Sequence, residues 1–359
     1  MPHHRERACA MKAAVIPEAH VVEVREIDRP SPGPGEALVK VEAVGVCGSD
    51  LHAYEGTQPF FQYPEIGGHE VVGEVVEMVP HEEEAREIPG RRHVRPLREG
   101  ARVVLDPSIP CGRCYPCRTG RYNCCENMRV LGVHAPGAFA EFMVAPVGCL
   151  HAIPESISAD AAVMAEPLSI GVQSSTRGRV TMEDTVLVIG AGTIGLSVLQ
   201  VCKARGARVA VSDLSEGRLS LANEMGADVT VNPQSDDPRD ALDEFSGGSG
   251  PAVVIEAVGT PKTVQQALDV VAASGRVIML GLCTEEICIE GALMVRKELD
   301  FLGSRLHGGT LPQAISLIEA NEVHPEKLVT HHMRLSDLER AFELMIAEPD
   351  TTLKVILTP

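Results

Sequence analysis

Tryptophan is absent from the 359 residues, and all aromatic residues together make up only 3%. A platform for stacking nucleic-acid bases needs a row of aromatic faces, which this composition cannot furnish. Basic residues are also in deficit, 32 Lys and Arg against 50 Asp and Glu, for a formal charge of −18. Binding a phosphate backbone needs cationic surface that displaces counterions, so nucleic acid is not an expected partner. The stretch "GRRHVRPLREGAR" (90–102) is the local exception. No apolar run reaches the length of a membrane span. The beginning, "MPHHRERACAMKAAVI", has no apolar segment ahead of a small-residue cleavage site, so no secretory signal is read. Without one, an odd total of eleven cysteines argues against a disulfide framework and for a reducing, cytoplasmic setting. The remaining composition, 44% hydrophobic and 23% charged, is that of a globular protein with room for two cores. Residues 1–10, ahead of the strand-like "MKAAVI", read as a flexible extension.

Two patterns divide the chain. Up to about residue 150 it reads as short strands separated by Pro/Gly turns, as in "VVEVREI", "EALVKVEAVGV" and "HEVVGEVVEMV". A charged segment at 80–99 interrupts them and reads as an exposed loop, longer than a turn requires. Near residue 160 the pattern becomes helical, with a proline placed to start a second helix. Strand and helix then alternate from "DTVLVIG" to "RVIMLG", which predicts a doubly wound parallel sheet. A further strand, two helical stretches and a closing strand, "LKVILTP", complete the chain.

Five cysteines crowd into "CGRCYPCRTGRYNCCEN" (111–127). Cys111, Cys114, Cys117 and Cys125 fit C-x2-C-x2-C-x7-C, a spacing that wraps four thiolates around a tetrahedral ion and leaves no open position. Structural zinc is the first expectation, with an iron–sulfur cluster or a C-x-x-C redox pair as rivals. Cys124 competes with Cys125 for the last place. A sparser set, Cys47, His69, Glu70 and Glu166, offers one thiolate, one imidazole and two carboxylates, donors that suit an open, catalytic zinc. Taken singly, each is as ordinary as a packed cysteine or a surface histidine.

"VLVIGAGTIGLSVLQ" places Gly190, Gly192 and Gly195 between a strand and a helix, with Thr193 and Ile194 at the turn. Such glycines allow a tight turn, close approach of pyrophosphate, and close helix packing. The helix N-terminus then faces the phosphates. Asp213 ends the next strand, where an acid accepts hydrogen bonds from the ribose hydroxyls of NAD and repels a 2′-phosphate. Arg218 is the residue that argues for NADP, or it is simply helix surface.

Taken together, "GVCGSDLH", "GGHEVVGEVVE", the cysteine cluster, "GAFAEF", "EPLSIG" and "GAGTIG" resemble the zinc-dependent medium-chain dehydrogenase/reductase family, in the family's order from Met11 onward. "EPLSIG", "YPEIGGHE" and "PEKLVTH" are most similar to its polyol and sugar-acid branch, including sorbitol, threonine and L-galactonate/L-idonate/L-gulonate 5-dehydrogenases. The resemblance implies a GroES-like β-rich catalytic domain (1–165 and 301–359) and a Rossmann NAD-binding domain (166–300). It implies Cys47, His69, Glu70 and Glu166 around a catalytic zinc, with Glu166 able to act through water. It places Ser49 and His52 in a proton relay, Cys125 rather than Cys124 in a structural zinc site, and Arg305 near the cofactor. The implied reaction transfers hydride from a secondary alcohol to NAD in a homodimer or homotetramer. His134, in "LGVHAPG", is a candidate for the substrate pocket. A non-catalytic nicotinamide- or sugar-acid-binding regulator on the same scaffold is the alternative. The chain departs from the family at the 80–99 insertion and at Ala101, where an acid is usual.

Overall fold

The computed structural model describes residues 10–80 and 95–359. The expected N-terminal extension, apart from Ala10 at the start of the strand Ala10–Glu18, and most of the 80–99 insertion lie outside the described residues. Two compact units divide the chain, Met1–Glu166 with Val329–Pro359, and Pro167–Leu328.

The first unit is organised around the strand Glu36–Val46, in which Ala37, Leu38, Val39, Val41, Ala43, Val44 and Val46 are all buried. It pairs antiparallel with Glu70–Met78, with Phe142–Pro146 and with Lys354–Thr358. Arg102–Leu105 and Leu150–Ala152 extend the sheet beyond Glu70–Met78, and Val329–Arg334 runs parallel to Lys354–Thr358. Register decides which side chains meet at the sheet's end. Gly45 lies opposite Glu70, and Val46 lies opposite Val355. The central strand therefore ends between two neighbours that come from distant parts of the chain.

It then turns directly into the helix Gly48–Tyr54. Cys47 is the extended N-cap residue, and its N–H donates to Asp50 Oδ2 at 2.9 Å. This helix has no apolar period and was not expected; a reciprocal cap at its first turn holds it. Tyr54 at its end stacks on Phe342 with ring centroids 4.8 Å apart.

A second device fixes the approach to His69. Gly137 N–H donates to Ile66 O at 2.7 Å, Ala138 N–H to Gly68 O at 2.9 Å and Phe139 N–H to Gly67 O at 3.0 Å. Gly68 has φ +87°, and a Cβ there would lie 2.8 Å from the Phe139 ring. Only glycine satisfies both the dihedral and the contact. Phe139 itself is fully buried.

In the second unit six parallel strands stand in the order Val229–Val231, Arg208–Ser212, Thr185–Ile189, Val253–Glu256, Arg276–Met279, Asp300–Gly303. In chain order this is 3-2-1-4-5-6, the doubly wound Rossmann order, with its switch point between the first and fourth strands. Strands such as Thr185–Ile189 and Val253–Glu256 are apolar along nearly their whole length and buried, as strands covered on both faces must be. The helical stretch near 160 is two helices, Ala159–Val163 and Ala165–Arg177, which places Pro167 in a first turn where its missing N–H costs nothing. The helix Pro238–Ser246 stands between the third and fourth strands, in a segment whose apolar pattern is too sparse to mark it. Its signals are end signals: an Asp237 N-cap, proline at the start and Gly247 left-handed at the end.

The domain limit at residue 300 differs from the expectation. Residues 301–328 belong with the second unit. Asp300–Gly303 is the sixth parallel strand, and Ala314 and Val323 pack with Leu168, Val172 and Val201 in one apolar cluster. The return to the first unit comes only at Val329.

Because Phe139 underlies the turn that delivers His69, Phe139→Ala should lower unfolding stability by about 3–5 kcal/mol. Chemical denaturation with a two-state fit measures it; a loss under about 1 kcal/mol would show that the turn does not rest on this ring.

Candidate active site

Three donors converge at the end of the central strand. The ligand atoms of Cys47, His69 and Glu70 lie within 4.8 Å of one another. Cys47 caps the helix, His69 comes after the Gly67–Gly68 turn, and Glu70 opens the strand Glu70–Met78. His69 and Glu70 are buried. Asp50 organises the group: one oxygen takes the Cys47 N–H, and the other takes the Gly68 N–H at 3.1 Å and lies 3.6 Å from His69 Nδ1. Burial alone would pull the His69 pKa down; the Asp50 carboxylate outweighs it and sets it well above the ordinary histidine range. Thiolate, imidazole and carboxylate, with no fourth protein donor in the group among the described residues, match the donor chemistry of a zinc site that keeps a position open.

Glu166 is buried in the first turn of Ala165–Arg177 but is not a member of this group of mutually close donors. Ser49 Oγ lies 3.5 Å from His69 Nε2. His52, one turn further along the same helix, is exposed, with Nδ1 3.2 Å from Thr57 Oγ1 and 3.4 Å from Glu55 Oε2.

Two residues of the site carry no signal in the sequence. One is Asp50. The other is Lys354, buried at 3% exposure, whose Nζ lies 2.7 Å from both Glu70 oxygens and 3.1 Å from Val46 O. Burial would lower its pKa, but the Glu70 carboxylate more than offsets this and the pKa is raised. Lys354 opens the closing strand, 284 residues from Glu70, and only sheet pairing brings them together.

The sulfurs of Cys111, Cys114, Cys117 and Cys125 form a second group within 4.8 Å, which does not include Cys124. Short helical turns at Tyr115–Arg118 and Tyr122–Cys124 fold the segment back on itself. The backbone N–H groups of Arg113 and Cys114 hold the Cys111 thiol down to about 6, while burial pushes Cys117 up to about 12. Four sulfurs this close cannot all ionise beside one another unless a cation joins them, so the group fits a tetrathiolate metal. Arg113, Tyr115, Arg118 and Arg121 stand exposed around it.

At the switch point, Gly190 has φ +100°. A Cβ on Gly195 would overlap Gly190 O, whereas one on Gly192 would meet nothing within 4 Å. The first contact is helix packing; the second is open space beside the N-terminus of Thr193–Ala204, a cradle that a phosphate fits. Thr193 and Ile194 form the first turn of that helix. Asp213 lies just past the second strand; its oxygens take the N–H of Ala191 at 2.6 Å and of Ser215 at 2.9 Å. Arg218 is half-buried in Glu216–Glu224, and Arg305 is exposed beyond the last strand. Leu214 and Val258 are exposed apolar side chains at strand ends, 58% and 47%, that periodicity does not mark. His134 is exposed, its ring 5.9 Å from that of Phe60.

Comparison with known proteins agrees with both halves. Residues 33–155 match the alcohol dehydrogenase GroES-like domain, and residues 193–320 match the zinc-binding dehydrogenase domain. The chain belongs to the zinc-type medium-chain dehydrogenases and is an oxidoreductase of that family. It is 31% identical to the L-galactonate-5-dehydrogenase of Escherichia coli K12, over 95% of this chain and 96% of the relative. Among solved structures it is similar to a short chain alcohol dehydrogenase (rspB) of Escherichia coli CFT073 complexed with NADH, with TM-score 0.89, 34% identity, and coverage of 98% and 99%. A zinc-binding dehydrogenase from Sinorhizobium meliloti bound to NADP also matches, with TM-score 0.89, 31% identity, and coverage of 98% and 100%.

Two outcomes test these sites. Cys114→Ser should lose one of two zinc ions per chain and unfold at lower denaturant, while protein that remains folded keeps its turnover; a stable variant without turnover would contradict a closed structural site. Asp213→Ala should weaken NADH binding about tenfold, as loss of charge-assisted hydrogen bonds implies, and weaken NADPH less. Fluorescence titration of both reduced cofactors measures it, and an unchanged ratio would remove the argument from charge.

Proposed function

We propose that this protein oxidises a secondary alcohol of a polyol or hexonate, such as L-gulonate, L-galactonate or L-idonate, to a ketone with NAD. The observation that carries the reading is the meeting of Cys47, His69 and Glu70 within 4.8 Å, with Ser49 Oγ 3.5 Å from His69. A zinc ion there supplies Lewis acidity that lowers a hydroxyl's pKa, and NAD supplies the hydride acceptor.

The chain's own residues do the rest. Cys47, His69 and Glu70 would hold the ion, and Glu166, buried in the first turn of its helix, would be the further carboxylate, able to act through water. Asp50 orients His69 as the outer partner of a metal-bound imidazole does. Ser49 receives the substrate's hydroxyl proton, and His52, exposed on the same helix, passes it to solvent. Gly190, Gly192, Thr193, Ile194 and Gly195 cradle the pyrophosphate, and Asp213 receives the ribose hydroxyls and disfavours a 2′-phosphate. Leu214 and Val258 offer apolar surface to a flat ring. Arg218 and Arg305 add positive charge on the cofactor side. Similarity to a galactonate dehydrogenase supports the substrate class. A cytoplasmic homodimer or homotetramer completes the reading. Among the described residues no helix is long and apolar enough to cross a membrane.

The test is a panel of hexonates and polyols with NAD and with NADP, monitored at the absorbance of the reduced cofactor. Turnover with NAD is expected, falling roughly 10²–10⁴-fold in Ser49→Ala. Zinc-loaded protein that binds NADH yet turns over no member of the panel would instead support the regulatory binder.

A further inference from the structure

We propose that Lys354 is a positioning residue that withholds part of the Glu70 carboxylate from the catalytic metal, and so sets how tightly that metal is held. This rests on reading Cys47, His69 and Glu70 as a zinc site and goes beyond it by naming what limits the site's grip.

The geometry is specific. Lys354 Nζ has three hydrogens and three acceptors, the two Glu70 oxygens at 2.7 Å and Val46 O at 3.1 Å. Its capacity is filled. The side chains are 3% and 1% exposed, so water screens their attraction little. The pair straddles the end of the central strand, since Gly45 faces Glu70 and Val46 faces Val355, the residue after Lys354. A Cβ on Gly45 would overlap Glu70 Oε2. The missing side chain is the gap through which the carboxylate reaches across the strand, and two residues later the chain supplies Cys47.

Glu70 therefore serves two cations from one carboxylate. One of its oxygens belongs to the group with Cys47 and His69, while both already accept from Lys354. Each oxygen has lone pairs enough for both partners, but the ammonium draws electron density from the carboxylate and its charge repels a dication nearby. A carboxylate shared in this way donates less to the metal. More of the metal's positive field then remains for the substrate hydroxyl, and the metal leaves more easily.

The experiment measures zinc release from the full-length, zinc-loaded protein into a chromophoric chelator, with the tetrathiolate zinc as a slow internal reference. It is joined by absorption spectra after Co²⁺ substitution at the faster site. Lys354→Met should release zinc from the faster site about tenfold more slowly than the unmodified protein, the usual scale for groups behind a ligand. Its cobalt bands should shift. Lys354→Gln keeps a donor to Glu70 but no charge; it should move in the same direction and guards against a folding failure in the methionine variant. Lys354→Arg restores the charge and should return the rate to within about threefold. Release and cobalt bands that match the unmodified protein in both neutral variants, or faster release, would overturn the proposal. None of these readouts needs turnover, so a failed substrate panel and a failed metal measurement are told apart.

Discussion

A carboxylate and an ammonium buried together at the end of one strand are the constraint on which the first unit turns. Neither Glu70 nor Lys354 tolerates the interior alone, since an unpaired buried charge costs several kcal/mol. The sheet has to bring them together, and to do so it places the closing strand and the Glu70–Met78 strand on opposite sides of Glu36–Val46. Once that is done, Cys47 and His69 have little freedom. The first leaves the central strand through a capped helix, and the second is delivered by a glycine turn laid against Phe139. Polar convergence of this kind is unfavourable in an apolar core unless its members are partnered, and Asp50 accepts from the Cys47 and Gly68 N–H groups while its charge lies 3.6 Å from His69 Nδ1.

The second unit solves an easier problem. Its inner strands are apolar and alternate with helices, so local pattern and global topology agree. The acid after the second strand and the glycine turn are joined, because Asp213 takes the Ala191 N–H between the glycines. The turn after the fourth strand is held the same way, with Glu256 Oε1 accepting from Val258 and Gly259 N–H at 2.8 and 2.7 Å. Carboxylates at strand ends, rather than glycines alone, define the shape of the turns at the switch point.

This contrast explains how much of the molecule was legible in its sequence. Alternating strand and helix patterns foretold the parallel sheet, and the C-x2-C-x2-C-x7-C spacing foretold the four-sulfur group, because both are local. Cys47, His69 and Glu70 were legible only as members of a resemblance; singly their types and spacing say little. Lys354 was invisible, since nothing near residue 354 indicates that it faces Glu70. The helix at 238–246 was hidden by its polar outer face and announced only by its ends. The boundary at 300 was misplaced because a sixth strand and a covering helix look no different from the start of a returning domain until Ala314 is seen packed with Val172.

The arginines around the cysteine lobe carry a separate consequence. Four thiolates outweigh a bound dication by two charges, and Arg113, Arg118 and Arg121 sit close in sequence to balance them. Strip the metal and let the sulfurs take up protons, and the same lobe becomes a cationic knob on a chain whose formal charge is −18. Demetallation then does more than loosen a fold. It also changes the sign of the charge that this lobe shows to its surroundings, because the exposed arginines no longer have thiolates to balance.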